Sequence, residues 1–301
     1  MVGRPAVVHV DIDFVFLKPM DLLYDAIIYD KDSPEGKNAR SLIPMERPKE
    51  AMPDKIQAFI TRDWPQVVPG RIPGYQAGFI VLRPDPSVPE ALYEIIYEGN
   101  YTKGHSRQNG WGGMGYGSFV GAMAMQGLMA YYYDKVAPNA AVELNQCRYN
   151  LMGMDVLYRA QPNFHHKHHK KGMCRNDGDY CEQCYETDTE LIHNVHFTQC
   201  RKPWNCVGLG VLGGNKGKAI DTSAGSFEKC MELVTKWHEL RSDFETKLFA
   251  LTNDQRIKAA SQSSYKMEIF HGHCGGEGGG NYSQIDASEK SFAQVSQMYE
   301  L

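Results

Sequence analysis

The stretch from Ala6 to Ile28, AVVHVDIDFVFLKPMDLLYDAII, constrains the fold more than any other part of this sequence. Ala6 to Val10 is a short apolar run that fits a buried parallel strand, and Asp11-Ile12-Asp13 stands at its C-terminal end. Residues two apart on an extended backbone point to one face, so the two carboxylates project together. Phe14 to Leu17, a Lys18-Pro19 turn and apolar residues at helical spacing from Met20 to Ile28 follow. Strand, acidic tip, turn and helix form one unit of an α/β sheet. Two carboxylates at such a tip suit a hard divalent cation, Mg²⁺ or Mn²⁺, which prefers oxygen ligands and keeps positions open for phosphate.

Residues 29–72 are polar and contain Pro34, Pro44, Pro48, Pro53, Pro65 and Pro69, the pattern of a long surface excursion with one short helix near Ile56 to Arg62. Tyr75 to Leu82 reads as a second strand, closed by Arg83-Pro84-Asp85-Pro86 before a helix from Val88 to Tyr97. A glycine-rich loop, Gly104 to Gly115, leads into an uncharged stretch from Tyr116 to Tyr133; its internal glycines and Gln126 make it a buried helix rather than a membrane span. Val142 to Arg148 and Leu191 to Phe197 are further strand candidates. From Ser226 to about Ser261, Phe227, Met231, Val234, Trp237, Leu240, Phe244, Leu248 and Leu251 recur at three- and four-residue steps, giving a long amphipathic helix before a glycine-rich tail. Strands alternating with helices predict an α/β sandwich.

Composition excludes several classes. With 36 acids against 32 bases the net charge is −4, which leaves no electrostatic footprint for nucleic acid or an anionic membrane. At 42% hydrophobic and 11% aromatic, the 301 residues can bury a substantial core. No basic segment followed by an apolar one opens the chain as a signal peptide would. The even count of eight cysteines and the sequons at Asn100-Tyr101-Thr102 and Asn281-Tyr282-Ser283 nevertheless favour a secretory lumen over cytoplasm.

Between the last two strand candidates lies a segment with His165, His166, His168, His169, Cys174, Cys181 and Cys184. Cys181-x-x-Cys184 with a third cysteine and the histidines can form a tetrahedral zinc site. The competing arrangement pairs Cys174, Cys181 and Cys184 oxidatively with one another and with Cys200 or Cys206, and the absence of a second C-x-x-C favours it.

Several motifs together carry a resemblance. V-x-x-D-x-D followed by FLKPMDLLYDA resembles a segment of glycosyltransferase family eight, the glycogenin-like enzymes. H-F-x-x-x-x-K-P-W, His196 to Trp204, looks like that family's second signature. Gln76-Ala77-Gly78 is similar to its N-[SA]-G strand, Gln126-Gly127-Leu128 to its D-Q-G-L helix start, and Arg148-Tyr149-Asn150 to the element before its last strand. These elements occur in the family order over residues 7–204.

The resemblance implies an α/β fold of the GT-A nucleotide-diphospho-sugar transferase type, here N-terminally incomplete and with a long C-terminal helix. It implies a partial catalytic domain over 1–225, with loop insertions at 29–72 and 152–190, and a C-terminal helix and tail over 226–301. The implied activity is metal-dependent transfer of a hexosyl unit from a UDP-sugar to a glycan or protein acceptor, with retention of configuration. Carried over by position, Asp11, Asp13 and His196 are the metal ligands for Mn²⁺ or Mg²⁺. Asp11, Gly78 and Lys202 contact the donor, and Gln126 and Gln76 are the catalytic polar side chains that orient the acceptor. Departing diphosphate gathers negative charge, so a cation and a lysine there favour the transition state over the ground state. Gln76 stands where the family has asparagine, Gln199 where it has glycine, and Met125 where it has the aspartate before Gln126. Only ten residues precede Asp11, so the expectation is that the base-binding half is missing, that UDP binds weakly, and that a membrane anchor, if any, is missing with it. A Golgi or other secretory location is implied, with cytoplasm the alternative. The second functional class is a non-catalytic module of the same fold, stabilised by disulfides or zinc.

Overall fold

The computed structural model describes residues 4–63, 73–104, 108–116, 121–152, 175, 182–198, 200, 202–204 and 224–252. The chain divides into two compact units: Met1–Leu151 with Asp155–His196, and Met152–Met154 with Phe197–Leu301. The first unit is mixed α/β, and the second carries a long helix. No helix among the described residues is long and apolar enough to cross a membrane.

In the first unit β1 (Val7–Val10), β2 (Phe14–Phe16) and helix α1 (Asp21–Ile28) follow one another as the apolar pattern predicts. Helix α2 (Pro34–Leu42) is next: Pro34 has no N–H to lose at the first position, and the Ser33 hydroxyl accepts from Gly36 N at 3.0 Å. Strand β3 (Ala58–Arg62) is buried along its whole length. Residues 29–63 therefore do not form the expected surface excursion, and Ile56 to Arg62 is not a helix; the remainder of that excursion, 64–72, lies outside the described residues. Its five-residue AFITR core is too short for periodicity to separate strand from helix, and burial between two neighbouring strands decides the matter.

Strand β4 (Tyr75–Leu82) and helix α3 (Ser87–Glu98) match expectation, α3 ending on Gly99 at φ +66°. A two-residue ribbon, β5 (Tyr101–Thr102) with β6 (Gly110–Trp111), precedes helix α4 (Met125–Tyr131) and one π-helical turn, Tyr132–Val136. The helix expected from Tyr116 thus begins only at Met125, after Gly115 and Gly121 adopt φ of +94° and +80°. Strand β7 (Ala141–Glu143) is shorter than the expected Val142–Arg148, which turns at Asn145, and β8 (Asn194–His196) is likewise preceded by a 3₁₀ turn, Thr189–Leu191.

The main sheet has the order β1-β4-β3-β7, with β4 antiparallel to both neighbours and β3 parallel to β7. Strands β1, β3 and β7 consequently run the same way and end at one edge. β1 pairs antiparallel with β4 and is half-buried, which corrects the expectation of a buried parallel strand. One face carries α1 and α2, whose Leu23, Ala26, Ile27 and Ala39 pack on Phe59, Phe79 and Val81. The other carries Ala58, Ile60 and Ile80 against Met129 and Ala130 of α4 and Leu92 and Ile95 of α3. Each such aliphatic or aromatic side chain gains roughly 1.5–3 kcal/mol from leaving water.

One irregularity shapes the functional edge. Ile60 pairs with Ile80, yet Arg62 pairs with Tyr75, so residues 76–79 of β4 lie opposite Thr61 alone. Such bulges bend a strand and re-aim its side chains.

Disulfides join Cys147 to Cys184 and Cys200 to Cys230. Cys184 is oxidised rather than a zinc ligand, and its partner Cys147 lies outside the set expected from the sequence. Cys174, Cys181, Cys206 and the whole histidine run fall outside the described residues. In the second unit Cys230 sits on helix α5 (Ala224–Thr252), Leu233 and Val234 are buried on the same helix, and the Trp204 and Trp237 rings lie 5.8 Å apart. The expected continuation of the helix to Ser261 also falls outside the described residues.

Candidate metal centre

The short ribbon β2–β8 builds the site. Phe14, the residue after Asp13, is the cross-strand partner of His196. This pairing carries His196 from the far end of the unit to the acidic tip, and Leu151 O fixes it by accepting from His196 N at 2.9 Å. His196 Nε2 stands 3.4 Å from Asp13 Oδ1 and 3.5 Å from Asp11 Oδ2. One ligand atom from each of the three residues can be chosen so that all lie within 4.8 Å of one another. The His196 side chain is 3% exposed, Asp13 13% and Asp11 49%, so the cluster has a buried floor and one open side.

The residues fit a divalent cation. With bonds of about 2.1 Å, two ligands at right angles around Mg²⁺ stand about 3 Å apart, close to the spacings here. Two carboxylates with one imidazole suit Mn²⁺ or Mg²⁺. The backbone leaves a fitted seat for the ring: a Cβ on Gly78 would come within 2.5 Å of His196 Nδ1 and closer still to Cε1. Asp11 N donates to Gly78 O at 3.1 Å, so one glycine abuts the imidazole and anchors the acidic tip.

Behind the cluster the β4 bulge opens a buried polar web. Gln76 Oε1 accepts from Gly78 N and lies 3.5 Å from Asn150 Nδ2, which donates at 2.7 Å to Thr61 Oγ1. Asn150, fully buried and at φ +54°, donates its backbone N–H to the side-chain oxygen of Asn194. Gln126 is held from two sides: its Oε1 accepts from Ala77 N at 3.2 Å, and its Nε2 stands 3.5 Å from Asp63 Oδ2. A Cβ on Gly121 would sit 2.8 Å from that Nε2, so glycine there leaves room for the amide. Met125, by contrast, is 38% exposed.

Asp11, Asp13, His196, Gly78, Gln76 and Gln126 are thus gathered at one end of the sheet. Lys202 belongs to the second unit, where its ammonium donates to Phe197 O at 3.3 Å. Thr61, Asp63 and Asn194 also join the site, and no motif in the sequence marks them. Asp63, 1% exposed, directly follows β3, and the strand pattern of Ala58–Arg62 is the signal that places an acid just past a strand end.

Compared with protein-family models, with the curated proteins and with the solved structures, the chain has no match.

Proposed function

We propose that this protein is a metal-dependent glycosyltransferase of the GT-A type that moves a hexosyl unit from a UDP-sugar to a glycan or protein acceptor with retention. One observation carries the reading: the residues picked out by the motif resemblance, scattered from Asp11 to His196, meet in one web of contacts around a carboxylate–carboxylate–imidazole cluster.

Asp11, Asp13 and His196 would hold Mn²⁺ or Mg²⁺, which when bound offsets the negative charge gathering on a departing diphosphate. The chain's own groups prepare that event. Asp13 and His196, both largely withdrawn from water, keep their relative placement through the β2–β8 pairing before any ligand arrives, so little reorganisation is left for the reaction. Gln126, locked between Ala77 N and Asp63, presents a fixed amide dipole at the same edge and needs only to orient an acceptor hydroxyl. A secretory location accompanies this reading, supported by the two disulfides among the described residues and by the exposed Asn100 of the first sequon.

The exposed Met125 favours a second reading, a binding module that keeps the metal cluster without transfer chemistry. Calorimetric titration of Mn²⁺ into the protein and its Asp13→Ala variant, with Mn²⁺-dependent release of UDP from UDP-sugars as the second measurement, separates the possibilities. Saturable Mn²⁺ binding lost in the variant is expected, together with UDP release at millimolar UDP-sugar, the concentration that weak donor binding requires. Binding without release favours the module, and no Mn²⁺ binding by the wild-type protein defeats both.

A further inference from the structure

The last turns of α3 hold an apolar face out to water. Tyr93, Ile96 and Tyr97, at helical steps of three and four, are 60%, 47% and 86% exposed. Scattered apolar side chains need no explanation, but two aromatic rings and an isoleucine grouped on one helix face do.

Three residues beyond Tyr97 stands the first sequon, Asn100-Tyr101-Thr102. Helix α3 ends in a left-handed cap: Gly99, at φ +66°, donates its N–H to Ile95 O at 3.2 Å. The chain reverses there and leaves close beside the turn it has just made, since a Cβ on Gly99 would stand 3.9 and 4.0 Å from the carbonyl oxygens of Ile96 and Tyr97. Tyr101 N then donates to Gly99 O at 2.8 Å, a three-residue turn centred on Asn100, and Asn100 O accepts from Gly112 N at 2.8 Å. The Tyr101 and Trp111 rings, 5.2 Å apart and edge to face, fix the β5–β6 ribbon that continues from it. The Asn100 backbone is thus held from both sides, while its side chain is exposed and makes no hydrogen bond among the described residues. Thr102 is exposed as well.

We propose that Asn100 carries an N-linked glycan whose first N-acetylhexosamine ring lies on Tyr97; the proposal rests on the secretory location given above. The donor class is a lipid-linked diphospho-oligosaccharide, the substrate of the lumenal transferases that read Asn-x-Thr. Asn100 Nδ2 attacks the anomeric carbon, the N–C bond forms as the C–O bond to the diphosphate breaks, the amide gives up one proton, and the lipid diphosphate leaves. Local geometry then decides where the sugar goes. The reversal at Gly99 carries a ring on Asn100 back along the last turn of α3, where the apolar C–H face of a sugar meets the outward face of a phenol ring. The group that covers the exposed helix face is therefore attached to the chain three residues away.

Two measurements test this. In the cells that make the protein, protease protection of microsomal vesicles reads its location, and mass spectrometry of the Asn100 peptide reads its glycan. A lumenal protein with the glycan is expected; a lumenal protein with bare Asn100 overturns the site alone, and a cytoplasmic protein defeats the location and the site together. The seat on Tyr97 is read by a double-mutant cycle on the full chain routed through the secretory lumen by an appended signal sequence. Thr102→Ala, which ends modification at Asn100, should lower the melting temperature by about 2–4 °C, the shift one such contact makes in a unit of this size. In the Tyr97→Ala background the same substitution should lower it by less than half as much. An equal loss in both backgrounds overturns the Tyr97 contact, as does a glycosylated parent that proves to be a dimer dissolved by Tyr97→Ala, since a second copy would then occupy the face.

Discussion

Replacing Gly78 by alanine is the sharpest perturbation of the Asp11–Asp13–His196 cluster proposed to hold the cation, because it adds one methyl group at the seat of the buried imidazole. The new Cβ would stand 2.5 Å from His196 Nδ1 and closer still to Cε1, and the ring must retreat to about the 3.4 Å of ordinary contact, a shift of about 0.9 Å or more. The imidazole is 3% exposed and cannot swing into solvent. Either the ring moves, taking Nε2 from its place 3.4 and 3.5 Å from the carboxylates, or β8 gives way and strains its pairing with β2. Overpacking of this kind costs about 1–3 kcal/mol of folding stability. Disturbing the support of a metal ligand lowers affinity by roughly 10–100-fold. Mn²⁺ titration by calorimetry and urea unfolding read the two effects on one preparation, with His196→Ala as the variant that removes the ligand outright. If Gly78→Ala binds Mn²⁺ within twofold of wild type while His196→Ala loses it, the close approach of Gly78 to the ring does not position the ligand, and the reasoning fails.

Other perturbations reach the rest of the unit. Glu46 is pushed up to about 7 by burial, against the pull of Arg175, so the native state takes its proton first; the stability this provides is full below about 4.5 and is lost as pH rises through 7, about 3 kcal/mol in all. Urea unfolding between pH 5 and 8 should show wild type losing ground to Glu46→Gln over that window, and parallel profiles would contradict it. Burial alone would lower the Arg62 pKa, but Glu143 and Asp134 hold it charged and above its ordinary value. Arg62→Met takes the guanidinium from both carboxylates and should cost about 3–5 kcal/mol in chemical denaturation, whereas a loss below about 1 kcal/mol would show that the network is neutral. The Cys147–Cys184 disulfide closes a sequence separation of 37 residues, and converting both cysteines to serine should cost about 4 kcal/mol, read as a lower urea midpoint than that of the oxidised parent.

Legibility in the sequence followed the range of the interactions. β4, α3 and the acidic tip are set by neighbours in the chain, and their residues show period, caps and turns directly. β3 is set by partners far away, Tyr75–Leu82 on one side and Ala141–Glu143 on the other, and its polar, proline-bearing surroundings read as a surface excursion with one short helix. Losing that strand hid what stands on it. Arg62 reads as a solvated cation until Glu143 and Asp134 are brought beside it, and Asp63 as a loop acid until Gln126 comes within reach. The bulge opposite Thr61 has no local signature at all, because it is a property of the register between two strands. Gly78 shows where local reading stops. A glycine inside a strand signals that something approaches the backbone closely, and the motif resemblance made that something a sugar donor. In the folded chain the approaching group is the ring of His196. Glycine at this position therefore follows from how the His196 ring is packed, a requirement that holds whether or not a donor ever touches Gly78, which is why affinity for the proposed cation rather than turnover is the measurement that exposes it.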